Sequence, residues 1–268
     1  MEPLGLVRRE PAAPLRGLVT ACYGYREETG SPMRRREGPG NGVVVILGFD
    51  TSWWIGDALD PAAPGGRYSA FAGGMREGQV LTQHDGVSRG LQIDLSPYAA
   101  RALFRVPMDS LARRVVPLED LLGRRAPLLV EQLQELPDWA PRFAVLEAAL
   151  SSWIADAPAP HREVAWAYER LRATHGGVRV SRLAEEIGWS RKRLVAGFRE
   201  HVGLPPKAVA RVFRFTRAVE LAERGEPAWG RIAREAGYYD QAHLSNEFRA
   251  ISGRTPGTFF QDVAAAAT

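Results

Sequence analysis

The chain has 268 residues, 45% apolar and 25% charged, the balance of an ordinary folded protein with room for two domains. A disordered or collagen-like chain is thereby excluded, and no apolar run nears the ~20 residues of a membrane-spanning helix; the longest, Val43–Gly48, is strand-sized. Cys22 is the single cysteine, so an intramolecular disulfide is excluded and a reduced, cytoplasmic setting is expected, with no export signal at Met1–Leu4 and no membrane partner.

The net charge of +4 is unevenly spread. Residues 158–268 hold 18 Arg and Lys against 12 Asp and Glu, or +6, which leaves −2 for residues 1–157. A basic excess in one part is what contact with nucleic acid requires. Only Lys192 and Lys207 are lysines, so part of the arginine content is a compositional habit.

In chain order, alternation and β-branched content predict strands at Leu18–Tyr25, Val43–Phe49, Ser52–Gly56, Tyr68–Ala72, Val80–His84 and Gly90–Leu95. Gly/Pro-rich turns separate them, at Gly38–Gly42, Asp60–Gly66, Gly73-Gly74 and Asp85-Gly86. Short strands punctuated this way predict a small β-barrel or sandwich. Ser96-Pro97 then reads as a helix start, with helices expected at Pro97–Leu103, Met108–Arg113, Leu118–Leu122, Ala126–Leu136 and Ala140–Asp156. In the last, Trp139, Phe143, Leu146, Leu150 and Trp153 follow a 4-3-4-3 spacing. Such a stripe packs either onto its own domain or against a second copy, as a dimer seam. Ala157–Pro160 is a stiff linker, which puts the expected boundary between domains 1–157 and 158–268.

After a helix at Arg162–Thr174, two units share one grammar. In the first, Leu183, Ala184 and Ile187 form an apolar face, Gly188 turns the chain, Trp189 packs beneath and Ser190 caps a second helix anchored by Leu194 and Phe198. The second unit substitutes Ile232, Ala233 and Ala236, then Gly237, Tyr238 and Asp240, then Leu244 and Phe248. Two short helices joined by a tight Gly turn make a helix-turn-helix. Lys207–Glu223 joins the units. Its seventeen residues span about 25 Å as a helix, compatible with placing two recognition helices in successive major-groove segments.

The second unit and its continuation, Ile232-Ala233-Arg234-Glu235-Ala236-Gly237-Tyr238-Tyr239-Asp240-Gln241-Ala242-His243-Leu244-Ser245-Asn246-Glu247-Phe248-Arg249 with Gly253-Arg254-Thr255-Pro256, carry a resemblance. Residues 162–260 are similar to the DNA-binding domain of the AraC/XylS family of bacterial transcription regulators. The sequence departs from that pattern at Asn246, often arginine, at Ala242, often serine, and at Phe260-Gln261, often Tyr-Arg. The resemblance implies an α+β protein, with an N-terminal sensing or dimerising barrel and an all-α C-terminal domain. Gly90–Leu103 and Arg114–Leu122 resemble segments in the N-terminal regions of some members.

The implied partner is double-stranded DNA read in the major groove. Gln241, His243 and Asn246 are the candidates for base edges, since a Gln or Asn amide pairs bidentately with adenine. In the first unit Arg191 and Lys192 are the contacts, with Val195 at most meeting a thymine methyl. Arg199, Arg249 and Arg254 are phosphate candidates, which position the protein without reading sequence. The N-terminal domain is expected to bind a small effector, to dimerise as a homodimer, or both.

Trp53, Tyr68, Phe71, His84 and Gln92 could line an effector site, with Met75, Gln83 and Asp94 nearby; core aromatics and strand-end polar groups are the competing reading. Adjacent Trp53 and Trp54 face opposite ways, so at most one points inward. No catalytic residue, metal or cofactor is expected. Gly86-Val87-Ser88-Arg89-Gly90 matches a hydrolase elbow by letter, but a strand rather than a helix follows it. Gly40-Asn41-Gly42 precedes a strand instead of the helix a phosphate loop needs, and His84 is the sole histidine before His161. Cys22 reads as a small core residue.

Overall fold

In the computed structural model, which describes residues 5–60, 62–155, 157, 159–225 and 228–266, the N-terminal half is built on two antiparallel sheets. Its strands are β1 (Gly5–Arg9), β2 (Val19–Glu28), β3 (Met33–Glu37), β4 (Val43–Gly48), β5 (Trp53–Asp57), β6 (Gly66–Tyr68), β7 (Ala70–Gly73), β8 (Val80–His84), β9 (Val87–Leu95) and β10 (Val115–Pro117). One sheet runs β1-β2-β9-β4-β7-β10 and the other β3-β8-β5-β6. Register decides what each face does. Val45 pairs with Ile93 and Leu47 with Leu91, and these point into a core covered by helices. The alternate pairs, Val44 with Asp94 and Ile46 with Gln92, face the second sheet, where Ile46 meets Ile55 and Phe71.

The covering helices are α1 (Pro97–Phe104), α2 (Leu118–Leu122), α3 (Arg125–Glu135) and α4 (Trp139–Ala155). Ser96 caps α1 by accepting from the Ala99 amide at 3.2 Å, with Pro97 at its first position. In α4 the stripe Trp139, Phe143, Leu146 and Leu150 is buried in this same core, so it cannot also serve as a dimer seam. A dimer would need another face. The predicted end of that helix at Asp156, Pro158 of the linker and Met1–Leu4 lie outside the described residues.

Four differences from the sequence reading have physical causes. β3, Met33-Arg34-Arg35-Arg36-Glu37, is a charged edge strand whose period-2 pattern is hidden because both faces are polar. β1 and the three-residue β10 are likewise short edge strands. The predicted strand Tyr68–Ala72 is two strands, since the chain passes from one sheet to the other at Ser69, whose carbonyl accepts from the Gly48 amide at 2.8 Å. Met108–Arg113 makes only a 3-10 turn, Met108–Ser110, before Arg113 enters the left-handed region at φ 61°.

The C-terminal half is helical: α5 (Arg162–Ala173), α6 (Val180–Glu186), α7 (Arg191–Val202), α8 (Pro206–Glu223), α9 (Trp229–Glu235), α10 (Gln241–Ser252) and α11 (Pro256–Ala266). It has two cores. The first gathers Val164, Leu171, Leu183, Leu194 and Phe198, and the second Ile232, Leu244, Phe248, Ile251 and Phe259. α8 serves both: Val209 and Phe213 enter the first, Phe215 and Ala218 the second. The two halves of the chain also dock. Tyr98 donates to the Val164 carbonyl at 3.2 Å, Arg101 pairs with Glu200 at 2.9 Å, and Met75 of the N-terminal half is buried in the first helical core.

Candidate nucleic-acid interface

The two helix-turn-helix units are superposable in their chemistry. Gly188 and Gly237 both take left-handed backbone, φ 69° and 82°, where a Cβ would be strained. Past each glycine the aromatic amide closes the same bond: Trp189 N to the Ala184 carbonyl at 2.9 Å, and Tyr238 N to the Ala233 carbonyl at 2.8 Å. Ser190 then caps α7 through the Arg193 amide at 3.2 Å, and Asp240 caps α10 through the His243 amide at 2.7 Å. Leu194 and Phe198, like Leu244 and Phe248, are fully buried, which turns the first turns of α7 and α10 outward.

The sequence candidates lie on the outer surfaces of these two helices. Arg191, Lys192 and Arg199 are exposed on α7 and Val195 is half-buried; Gln241, His243, Asn246 and Arg249 are exposed on α10. Three details refine their chemistry. His243 Nδ1 accepts from the Tyr239 amide at 3.3 Å, which leaves Nε2 to carry the ring hydrogen as an outward donor. Asn246 Oδ1 accepts from Arg249 at 3.3 Å, so this amide is held by its own helix. Arg193 lies 4.1 Å over the Trp189 ring and braces the turn.

Some contributors were not visible in the sequence. Tyr239 is 90% exposed beside the Asp240 cap, an aromatic ring on the outer surface of the second unit. Its signal was exposure, which needs the fold. Glu247 takes Arg211 at 2.9 Å and Arg214 at 3.7 Å from α8, fixing α10 on the connecting helix. Burial raises the Tyr238 hydroxyl well above its usual range, so it stays neutral under the Arg214 guanidinium, 5.7 Å from its ring.

A cavity of about 1160 Å³ lies between the inner faces of the two sheets. Trp53, Phe71, Gln92 and Asp94 line it, as do Tyr25, Ile46 and Ile55. Of the other sequence candidates, Tyr68 stacks behind Phe71 with centroids 5.8 Å apart and is not part of the lining. His84 is also displaced: it is 1% exposed, wedged 4.7 Å from the Trp53 ring with Nε2 3.3 Å from Glu27, so it cements the sheets together. Met75 points into the C-terminal half, and Trp54 covers Gly56 and Gly65 away from the cavity. Burial raises the carboxyl of Asp94 on the cavity wall. Ser88 is fully buried within β9, with strand on both sides, so no hydrolase elbow exists there. Among the described residues no cluster of three or more His, Cys, Asp or Glu could hold a metal, and no helix is long and apolar enough to cross a membrane.

Comparison with known proteins agrees with the C-terminal geometry. Residues 183–262 match the family model of a helix-turn-helix domain. No curated protein matches the chain. Among solved structures it is similar to ToxT from Vibrio cholerae, at 12% identity over 89% of this chain and 96% of that one, with a TM-score of 0.47. An unsaturated fatty acid-bound wild-type ToxT from Vibrio cholerae strain SCE256 gives 11% identity, 94% and 96% coverage and a TM-score of 0.49. With duplicated Gly turns, matched caps and outward second helices, residues 183–262 form a helix-turn-helix domain.

Proposed function

We propose that this chain is a sequence-specific transcription regulator whose residues 158–268 read an operator and whose residues 1–157 sense a small effector. The observation that carries the DNA-reading part is the pair of equivalent, outward helix starts on one shared helix, α8. Gln241 and His243 supply base-edge contacts, and Arg191, Lys192, Arg199 and Arg249 supply phosphate contacts that set position and salt dependence. Its task is recognition, not catalysis. The cavity supports the sensing part, because a space of about 1160 Å³ that sets Tyr25, Ile46, Trp53, Ile55 and Phe71 beside charged groups such as Arg35, Arg76 and Asp94 suits a small molecule with an apolar body and polar or charged substituents. A purely dimerising N-terminal half is less well supported, since the α4 stripe is spent on its own core. The test is capture of sheared genomic DNA by the purified full chain near physiological salt. Sharp peaks upstream of genes are expected; a smooth, salt-sensitive background with and without candidate effectors refutes sequence-specific regulation.

A further inference from the structure

Residues Gly73–Val80 cross from the cavity to the helical half as an irregular segment that bends at Glu77 and Gly78, and its contacts are shared between the two. Gly73, Gly74, Arg76 and Val80 line the cavity. Met75, Glu77 and Gln79 engage the C-terminal half instead. Met75 is 2% exposed within the first helical core, and Glu77 pairs with Arg211 of α8 at 3.3 Å. The Gln79 amide donates to the carbonyl of Ile251, in the last turn of α10, at 3.2 Å. The segment therefore touches both bodies, Met75 and Glu77 through their side chains and Gln79 through its backbone amide.

We propose that this strap conveys occupancy of the cavity to the second DNA-reading helix; the inference rests on the effector reading above. The strap is held at both ends. A Cβ on Gly74 would stand 1.9 Å from the Leu111 carbonyl oxygen, so the chain is pressed against the turn whose Met108 carbonyl abuts Gly203 at the end of α7. Arg211 passes the contact of Glu77 onward to Glu247 of α10, 2.9 Å away. A ligand that displaces the cavity side of the strap therefore bears on α7 and α10 together, and shifts DNA affinity by its differential affinity for the two arrangements. A second connection exists at Asn41, which also lines the cavity. Its carbonyl accepts from the Tyr168 hydroxyl, and its side-chain oxygen from Thr216 at 3.3 Å. That route ends on α5 and α8, whereas the strap touches α10.

The test needs no natural effector. Val44 faces the cavity, with its Cγ1 2.9 Å from where a Cβ on Gly73 would stand. A Val44→Cys chain labelled with monobromobimane carries a fused ring there, and buried Cys22, its thiol pushed up to about 12, stays unlabelled. Affinity is measured for an operator selected from random duplexes by the unlabelled full chain. Labelling is expected to change it about fivefold or more, within the usual range of coupling, and the change is expected to fall below about twofold when Met75→Ala and Glu77→Ala are added. An equal change in both backgrounds overturns the strap and leaves the effector reading standing. No change in either background overturns both. Should the double variant fail to fold, hydrogen exchange of the labelled single variant decides. Altered protection in residues 75–81 and 244–253 supports the strap, and alteration confined to 168–175 overturns it in favour of the Asn41 route.

Discussion

Phe248→Ala tests whether the two helix-turn-helix units are separate cores joined by one helix. Phe248 is fully buried, with its ring 4.6 Å from Phe215 of α8 and 5.7 Å from Phe259 of α11. Truncating such a residue costs about 3–5 kcal/mol, through lost transfer energy and the cavity left behind. The second core is small, and none of its buried members belongs to the first. The loss therefore falls on α9 and α10, raising their local opening by roughly two to three orders of magnitude or more. Hydrogen exchange read by mass spectrometry should show α9 and α10 deprotected while α6 and α7 keep their rates. Operator affinity should collapse toward a residual salt-sensitive binding through the first unit. Phe198→Ala should give the mirror result. Equal deprotection of all four helices, or less than about a tenfold change in α10, refutes the partition into two cores.

Four further outcomes are expected. Gln241→Ala should weaken operator binding by about 1–3 kcal/mol and random DNA little, as a gel-shift comparison would show; equal loss on both contradicts base reading. Asp240→Ala removes the cap bond to the His243 amide and should cost about 1 kcal/mol in denaturant melts, with the start of α10 fraying in exchange data. Gly176→Ala must place a Cβ 2.2 Å from the Ala210 carbonyl oxygen at φ 75°, so it should lower the Tm more than an exposed substitution such as Gly225→Ala, where nothing lies within 4 Å. Burial raises the Cys22 thiol from its ordinary 9.0 to about 12, so it should resist alkylation at pH 8 until the protein unfolds. Because the folded value lies above the unfolded one, this thiol's contribution to stability is complete below pH 9.0 and is lost as pH climbs toward about 12; melts of Cys22→Ser against the parent across that window would show it.

Much of the fold was legible because it rests on local rules. Gly188 and Gly237, the Ser190 and Asp240 caps, and the i, i+4 anchors Leu194/Phe198 and Leu244/Phe248 each act within one turn of chain, and the structure places them as the spacing predicts. The central strands were legible too, since burial on one face imposes alternation. The edge strands β1 and β3 were not, because an edge exposed on both faces leaves no pattern to read. Within the candidate effector site, periodicity separated Trp53 from Trp54, yet it could not tell Phe71, on the lining, from Tyr68 behind it. That difference depends on which sheet each residue joins, and the chain changes sheet at Ser69 between them.

By itself, then, the sequence determined what short-range chemistry determines: the two helix-turn-helix units, their polarity, and the basic, polar residues at the start of each second helix. The tertiary structure decided everything that depends on residues far apart in the chain. It buried the α4 stripe in its own core, turned His84 from a ligand candidate into a wedge between sheets, and sent Met75 into the opposite half. It also joined Glu77 to Arg211 and, through it, to Glu247. Side-chain type and period specify which face of an element is apolar; which neighbour covers that face is set by how the elements pack, and no local pattern encodes it.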